Sequence, residues 1–137
     1  MRRFINRLLR RGTIENTAKL INKTIKISTQ SYTEAERLVV EGNRLEDTGH
    51  LEKAKICYQA ALELCPDFAR AWLNIGNIQA AQKQFDEAVN SYRQALQLEA
   101  NYGAAHANLG QIYLNRKDYL NAAEHYSAAT RMLPNSA

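Results

Sequence analysis

The sequence predicts an all-α solenoid of three stacked helix-turn-helix units behind an amphipathic helical extension, and three observations predict it. First, four columns repeat with one lag of 34 positions: Gly42, Gly76 and Gly110; Ala54, Ala88 and Ala122; Tyr58, Tyr92 and Tyr126; Ala61, Ala95 and Ala129. A fixed lag of this length is the signature of one supersecondary unit stacked on copies of itself. Second, each unit carries two segments with apolar residues at helical spacing. Third, turn and capping residues fall in the same register.

In chain order, the spacing predicts helices over 35–48 and 52–65, then 69–82 and 86–99, then 103–116 and 120–133. Residues 1–33 form a basic extension and 34–137 the repeat domain, with repeats at 35–68, 69–102 and 103–136. Within the pairs the breaks are Asp47-Thr48-Gly49-His50, Gln82-Lys83-Gln84 and Arg116-Lys117-Asp118, the first of them the strongest turn signal. Between units they fall at Cys65-Pro66-Asp67, Ala100-Asn101 and Pro134-Asn135, where proline stops the preceding helix. Thr33, Asp67, Asn101 and Asn135 recur at the same lag and are good N-cap residues; Thr33 with Glu36 reads as a capping box.

Packing follows from the columns. Glycine in mid-helix costs about 1 kcal/mol against alanine, so three in register imply a close crossing with no room for a side chain. The tyrosines are expected to fill the space between helix pairs, opposite Leu38, Trp72 and His106.

Composition narrows the function. The 137 residues suit one domain, and no apolar run approaches a membrane span. The two cysteines, Cys57 and Cys65, lie about 12 Å apart along one predicted helix, too far for a disulfide. Free thiols fit a reducing compartment, so a cytoplasmic location is expected, with a mitochondrial or peripheral-membrane one as the alternative. No metal-ligand spacing or phosphate-binding glycine loop occurs, and His50, His106 and His125 have no nucleophile or carboxylate in register. The chain is therefore expected to be non-catalytic and to need neither metal nor cofactor.

The columns resemble the tetratricopeptide repeat. Its pattern is matched by Trp72, Ile75-Gly76, Ala88, Tyr92 and Ala95 in the second unit. The third offers His106, Leu109-Gly110, Tyr113, Ala122, Tyr126, Ala129 and Pro134, and the first Leu38, Gly42, Leu45, Ala54, Tyr58, Ala61 and Pro66. Departures are Gln79, Ala100 and Glu41. The resemblance implies a right-handed solenoid whose first helices line a concave groove, and so a scaffold that binds an extended peptide or partner helix. The groove positions it implies are Glu36, Val39, Val40, Asn43, Glu46 and Asp47; Arg70, Leu73, Asn74, Asn77, Ala80 and Ala81; Ala104, Ala107, Asn108, Gln111, Leu114 and Asn115. Amides dominate, and a carboxamide can donate to and accept from a peptide backbone. Candidate peptide contacts are Asn43, Arg70, Asn74, Asn77, Asn108, Gln111 and Asn115; a solvated face, or contacts inside the solenoid, is the competing reading. On the peptide reading, replacing Asn74 and Asn108 by alanine spares stability and abolishes binding.

Two subfamilies are relevant. The co-chaperone type holds acidic C-terminal tails with three cationic residues, and the matching positions here are Val39, Asn43, Asn74, Ala104 and Asn108, with no cation. The Asn74/Asn108 column looks closer to the asparagine ladder of O-linked N-acetylglucosamine transferases. The alternative function is accordingly the substrate-recognition segment of a larger glycosyltransferase.

Charge separates the extension from the repeats. Residues 1–33 carry eight Lys or Arg and one acid, a net of +7, whereas 34–137 carry ten bases and thirteen acids, a net of −3. Phe4, Ile5, Leu8 and Leu9 form a stripe, with Arg3, Arg7 and Arg10 around it and Gly12 as the expected helix end. The segment reads as a contact for an anionic membrane through Arg3, Phe4, Arg7, Leu8 and Arg10, as a mitochondrial transit sequence, or as a basic lead-in. Nucleic acid is not an expected partner, because aromatic interleaving is lacking. Ile14, Ala18, Ile21 and Ile25 form a second stripe, expected to pack on the first repeat as a cap. At the other end, Pro134 to Ala137 correspond to the entry into a further unit. An apolar flank left uncovered there implies a longer chain, or end-on docking to a second copy or another protein.

Overall fold

The computed structural model describes residues 2–131, apart from the side chains of residues 2 and 4–9. Six helices follow one another: α1 (Arg2–Asp47), α2 (Leu51–Leu64), α3 (Ala69–Ala81), α4 (Phe85–Leu98), α5 (Gly103–Asn115) and α6 (Tyr119–Arg131). No strand occurs among the described residues. The helices pack as pairs, α1 with α2, α3 with α4 and α5 with α6, and adjacent pairs meet through α2–α3 and α4–α5. The result is the all-α solenoid that the 34-residue lag predicts. The starts of α2, α3, α4, α5 and α6 fall within one residue of those expected from the spacing.

Each glycine column faces a tyrosine ring. A Cβ added at Gly76 would stand 2.6 Å from Tyr92 Cε1, and one at Gly42 would collide with the Tyr58 ring. At Gly110 the same atom would lie 3.1 Å from Tyr126 Cγ, which a small shift accommodates. The close crossing is therefore real: each ring lies against the glycine of its own pair, and Tyr58 and Tyr92 also share a core cluster with residues of the next pair, as expected. A ring can lie this close to a helix axis only where the facing residue has no side chain. Tyr58 and Tyr92 are fully or almost fully buried, and Ala54, Ala61, Ala88 and Ala95 pack around them. Leu38 sits at the margin of the first core cluster and Trp72 at the margin of the second. Cys65 is buried and Cys57 half-buried, both as free thiols; burial, followed by the Asp67 carboxylate, pushes the Cys65 thiol up.

The turns inside the pairs share one geometry. Gly49, Lys83 and Lys117, again 34 apart, all adopt left-handed backbone at φ 79, 63 and 62°. Gly49 N–H donates to Glu46 O and His50 N–H to Leu45 O; Lys83 and Gln84 do the same to Ala80 and Gln79, and Lys117 and Asp118 to Leu114 and Tyr113. This is the Schellman closure, which satisfies the last carbonyls of a helix and needs a left-handed residue just beyond it. Glycine accepts that conformation without strain, and lysine does not.

The amino-terminal half departs from expectation. Gly12 and Thr33 do not interrupt α1, which runs unbroken for 46 residues, about 70 Å. A single glycine costs only about 1 kcal/mol inside a helix, too little to stop it. Thr33 does not cap, because its hydroxyl donates to Thr29 O within the helix, as those of Thr17, Thr24 and Thr29 do to Thr13, Leu20 and Ile25. At the starts of α3 and α5 the flanking residues are Phe68 and Tyr102, and no side-chain bond caps either helix, so Asp67 and Asn101 do not take the expected role. The second stripe is no cap either: Ile14, Ile21 and Ile25 are exposed. Contact with the repeats begins near Tyr32, whose ring meets Phe68 edge-on at 5.4 Å, and Ala35, which is fully buried. Pro134, Asn135 and the rest of 132–137 lie outside the described residues.

Two substitutions test this packing. Gly76→Ala gains up to about 1 kcal/mol of helix propensity but must displace a buried ring, at a cost of about 1–3 kcal/mol. Urea denaturation is expected to show a net loss for Gly76→Ala and none for Gly110→Ala. Lys83→Gly relieves the left-handed strain and is expected to raise stability by about 0.5–1 kcal/mol in the same measurement.

Candidate peptide-binding groove

The candidate groove follows the first helices of the three units, namely the end of α1, α3 and α5. The glycine–tyrosine contact dictates how its floor is built. With the Tyr92 ring against Gly76, the phenol emerges one residue further along α3 and donates to Asn77 Oδ1 at 2.9 Å. The same oxygen accepts from Asn108 Nδ2 of α5 at 2.8 Å. One unit earlier the motif is identical: Tyr58 OH lies 2.8 Å and Asn74 Nδ2 2.9 Å from Asn43 Oδ1. In the third unit Tyr126 OH donates to Gln111 Oε1 at 3.0 Å. In the first two units the phenol–amide–amide chain thus ties a second helix to its own first helix and to the first helix of the next unit.

The first chain has a further branch. Tyr58 OH is also 2.9 Å from Glu46 Oε2, and one hydroxyl proton cannot serve both acceptors. A charged acceptor makes the stronger bond. Turning the Asn43 amide end for end would let it donate to the hydroxyl and to Val39 O and accept from an Arg70 guanidinium nitrogen at 3.1 Å, but would set its nitrogen against Asn74 Nδ2, so the bond to Asn74 belongs to the unturned orientation. Burial is the first cause that raises the Tyr58 phenol above its ordinary value, and Glu46 adds to it. The Tyr92 phenol is pushed up to about 12, again chiefly by burial.

The candidate contacts therefore fall into two groups. Asn43, Asn74, Asn77 and Asn108 are half-buried and each spends part of its capacity inside the solenoid. Replacing Asn74 and Asn108 is therefore expected to cost stability too, because each donates across a unit boundary at about 0.5–1.5 kcal/mol per bond. Arg70, Gln111 and Asn115 are exposed, and Gln111 Nε2 donates to Asn115 Oδ1 at 2.9 Å. Leu73 is a buried core residue, and Val39 is buried in the first core cluster with only its edge bounding a cavity. Arg3 and Arg10 are exposed on α1, while the side chains of Phe4, Arg7 and Leu8 lie outside the described residues.

Two cavities of about 350 Å³ each adjoin at the amino-terminal end of α3. One is bounded by Tyr32, Glu36, Asp67, Arg70, Glu99 and Tyr102, the other by Glu36, Val39, Val40, Phe68 and Arg70 among others. Glu36, Asp67 and Glu99 share the first with the single Arg70 guanidinium, so its lining is net acidic. A larger cavity of about 500 Å³ opens between α5 and α6, beside Ala104, Ala107, Tyr126 and Ala129.

Behind the groove lies a polar cluster that sequence reasoning missed. His106 Nδ1 and His125 Nδ1 approach to 3.1 Å, and Tyr113 stacks on His125 at 5.5 Å and accepts from Arg93. His106 Nε2 lies 3.0 Å from Ala100 O, so it carries the donated proton and leaves Nδ1 as the acceptor for His125. Burial, then His106, holds the His125 imidazole below its ordinary value. The pairing occurs once, so no recurrence announces it. Among the described residues no group of three His, Cys, Asp or Glu side chains could hold a metal ion, and no helix is long and apolar enough to cross a membrane.

The Tyr92 shift fixes a pH dependence. The folded state holds the phenol neutral up to about 12, against an ordinary value of 10, so this stabilisation is fully present below pH 10 and lost as the pH rises through 12. Melting curves are expected to fall across that window, and Tyr92→Phe is expected to soften the fall while lowering neutral-pH stability by about 0.5–1.5 kcal/mol.

Comparison with known proteins agrees with this architecture. Tetratricopeptide repeat family models match residues 69–102 and 103–136, and a TPR repeat model matches 42–83. The second TPR domain of Spaghetti (RPAP3), solved with the HSP90 peptide SRMEEVD, superposes with a TM-score of 0.76 at 20% identity, over 82% of this chain and 97% of that one. The first TPR domain of the same protein gives 0.71 at 21% over 77% and 83%, and MamA gives 0.68 at 19% over 74% and 59%. Protein O-mannosyl-transferase TMTC1 is 39% identical in Mus musculus and 37% in Homo sapiens over 54 residues, 39% of this chain. The chain spans only 6% of the length of those curated relatives. Three matched repeats in register, on helices paired through glycine and tyrosine, place this chain in the tetratricopeptide repeat family.

Proposed function

We propose that this chain is a protein-interaction scaffold whose concave groove holds an extended peptide, and that the groove favours a basic one. The observation that carries this reading is the first of the two adjoining cavities at the start of α3, where three carboxylates accompany one arginine; the second adds Arg37, and the pair together keeps a net negative lining. Arg70 offers a fork to a peptide carbonyl or carboxylate, and Gln111 and Asn115 present amides further along. Asn43, Asn74, Asn77 and Asn108 contribute the donors and acceptors that their internal bonds leave over. Each such bond adds about 0.5–1.5 kcal/mol, so several must act together. Spaghetti binds an acidic peptide on the same fold, but the positions that would need cations here are Val39, which is buried, and Ala104 and Asn108, which carry no charge.

Fluorescence anisotropy with basic, neutral and acid-tailed peptides tests the reading. Basic peptides are expected to bind best, to weaken as salt rises, and to lose about tenfold on Glu36→Lys with Glu99→Lys. Preference for the acid-tailed peptide, or indifference to both substitutions, would overturn it. A second reading, the substrate-recognition segment of a larger glycosyltransferase, draws on the short match to protein O-mannosyl-transferase. It requires the encoding transcript to continue in frame past Ala137, which sequencing decides.

A further inference from the structure

We propose that the free part of α1, about residues 10–30, is a membrane-surface helix that lies on an anionic bilayer. Four observations carry this, and none depends on the groove. The segment is helical and exposed along its length, without packing on the repeats. It nonetheless presents Ile14, Leu20, Ile21, Ile25 and Ile27, each more than half exposed. Lone exposed apolar residues need no explanation, but five on one helix do.

Their placement is ordered. At about 100° per residue, Ile14, Ile21 and Ile25 fall within a narrow stripe, and Leu20 and Ile27 fall about 120° to one side of it. The arc between them holds Thr13, Thr17, Thr24 and Ser28, with Arg10 at its start, and the hydroxyls of the three threonines bond to carbonyls of their own helix. About half the circumference is therefore uncharged apart from Arg10. The other half carries Glu15, Asn16, Lys19, Asn22, Lys23 and Lys26.

This width selects the occupant. A helix that pairs with one partner helix needs only the a/d seam, and Leu20 and Ile27 would remain in water outside it. A half-cylinder of isoleucine and threonine side chains opposite a lysine row is the form that sinks into the boundary between headgroups and acyl chains. Arg10 and Arg11 at its start, with Lys19, Lys23 and Lys26 along the polar side, give the segment five cations against Glu15, complementary to anionic lipid. Long basic side chains at the edge of the face can extend to the phosphates while their stems remain in the apolar layer.

The test is vesicle co-sedimentation of the full chain, with phosphatidylcholine alone and with phosphatidylglycerol added, alongside sedimentation velocity without lipid. Binding is expected only to the anionic vesicles and is expected to weaken at high salt. Ile21→Asn with Ile25→Asn should lower the partition by more than about tenfold, as should Lys19→Gln, Lys23→Gln and Lys26→Gln together. Both variants alter only exposed positions beyond the repeats, so an unchanged melting temperature separates lost binding from lost folding. Absence of binding to anionic vesicles would overturn the proposal. So would a dimer that the isoleucine substitutions dissolve in lipid-free solution, which would make a second copy the occupant.

Discussion

A tyrosine ring pressed against a glycine is the contact on which the remainder of this molecule depends. It sets the spacing of each helix pair, because Tyr58 and Tyr92 occupy the volume that a side chain at Gly42 or Gly76 would need. It also sets where the phenol emerges, and hence which amide the hydroxyl meets. From there the Asn77 and Asn43 carboxamides extend the contact to Asn108 and Asn74 of the next unit. The phenol buried for packing thus becomes the polar link along the solenoid axis. In a repeat protein, where each unit touches only its neighbours, such links contribute to the interface energies that make stacking cooperative.

The same geometry constrains function. An amide column built into the stack is a rigid floor, and a rigid floor suits an extended peptide better than a flexible one does, because less must be ordered on binding. It also limits what the floor can offer, since part of each asparagine's capacity is already used. On the proposed reading, the charge of the groove end and the exposed Arg70, Gln111 and Asn115 would decide which peptides are admitted. The basic outer part of α1 lies apart from this floor and has its own chemistry.

Much of the fold was legible because packing recurs. Gly42, Gly76 and Gly110 announced the crossing, and the alanine columns announced the facing helix. What failed were signals that a helix can absorb. Thr33 reads as a cap, yet its hydroxyl is equally satisfied by the carbonyl four residues back, and Gly12 costs too little to stop a helix. Gly49 identified its turn, whereas Lys83 and Lys117 take the same left-handed backbone with a residue type that gives no hint of it. The asparagines were visible as columns, but a column at the repeat lag looks the same for a ligand ladder and for an internal link. The 31-residue spacing of Asn43–Asn74 and of Asn77–Asn108 was the available clue. The His106–His125 contact occurs once and left no periodic trace.

The most direct measurement is a double-mutant cycle in urea denaturation, joining Gly76→Ala to Tyr92→Leu. If the ring fills the space over the glycine, the alanine is penalised only while that ring is present. The account predicts that Gly76→Ala costs less in the Tyr92→Leu background than in the parent by more than about 1 kcal/mol. Additive costs, with alanine equally damaging in both backgrounds, would contradict it.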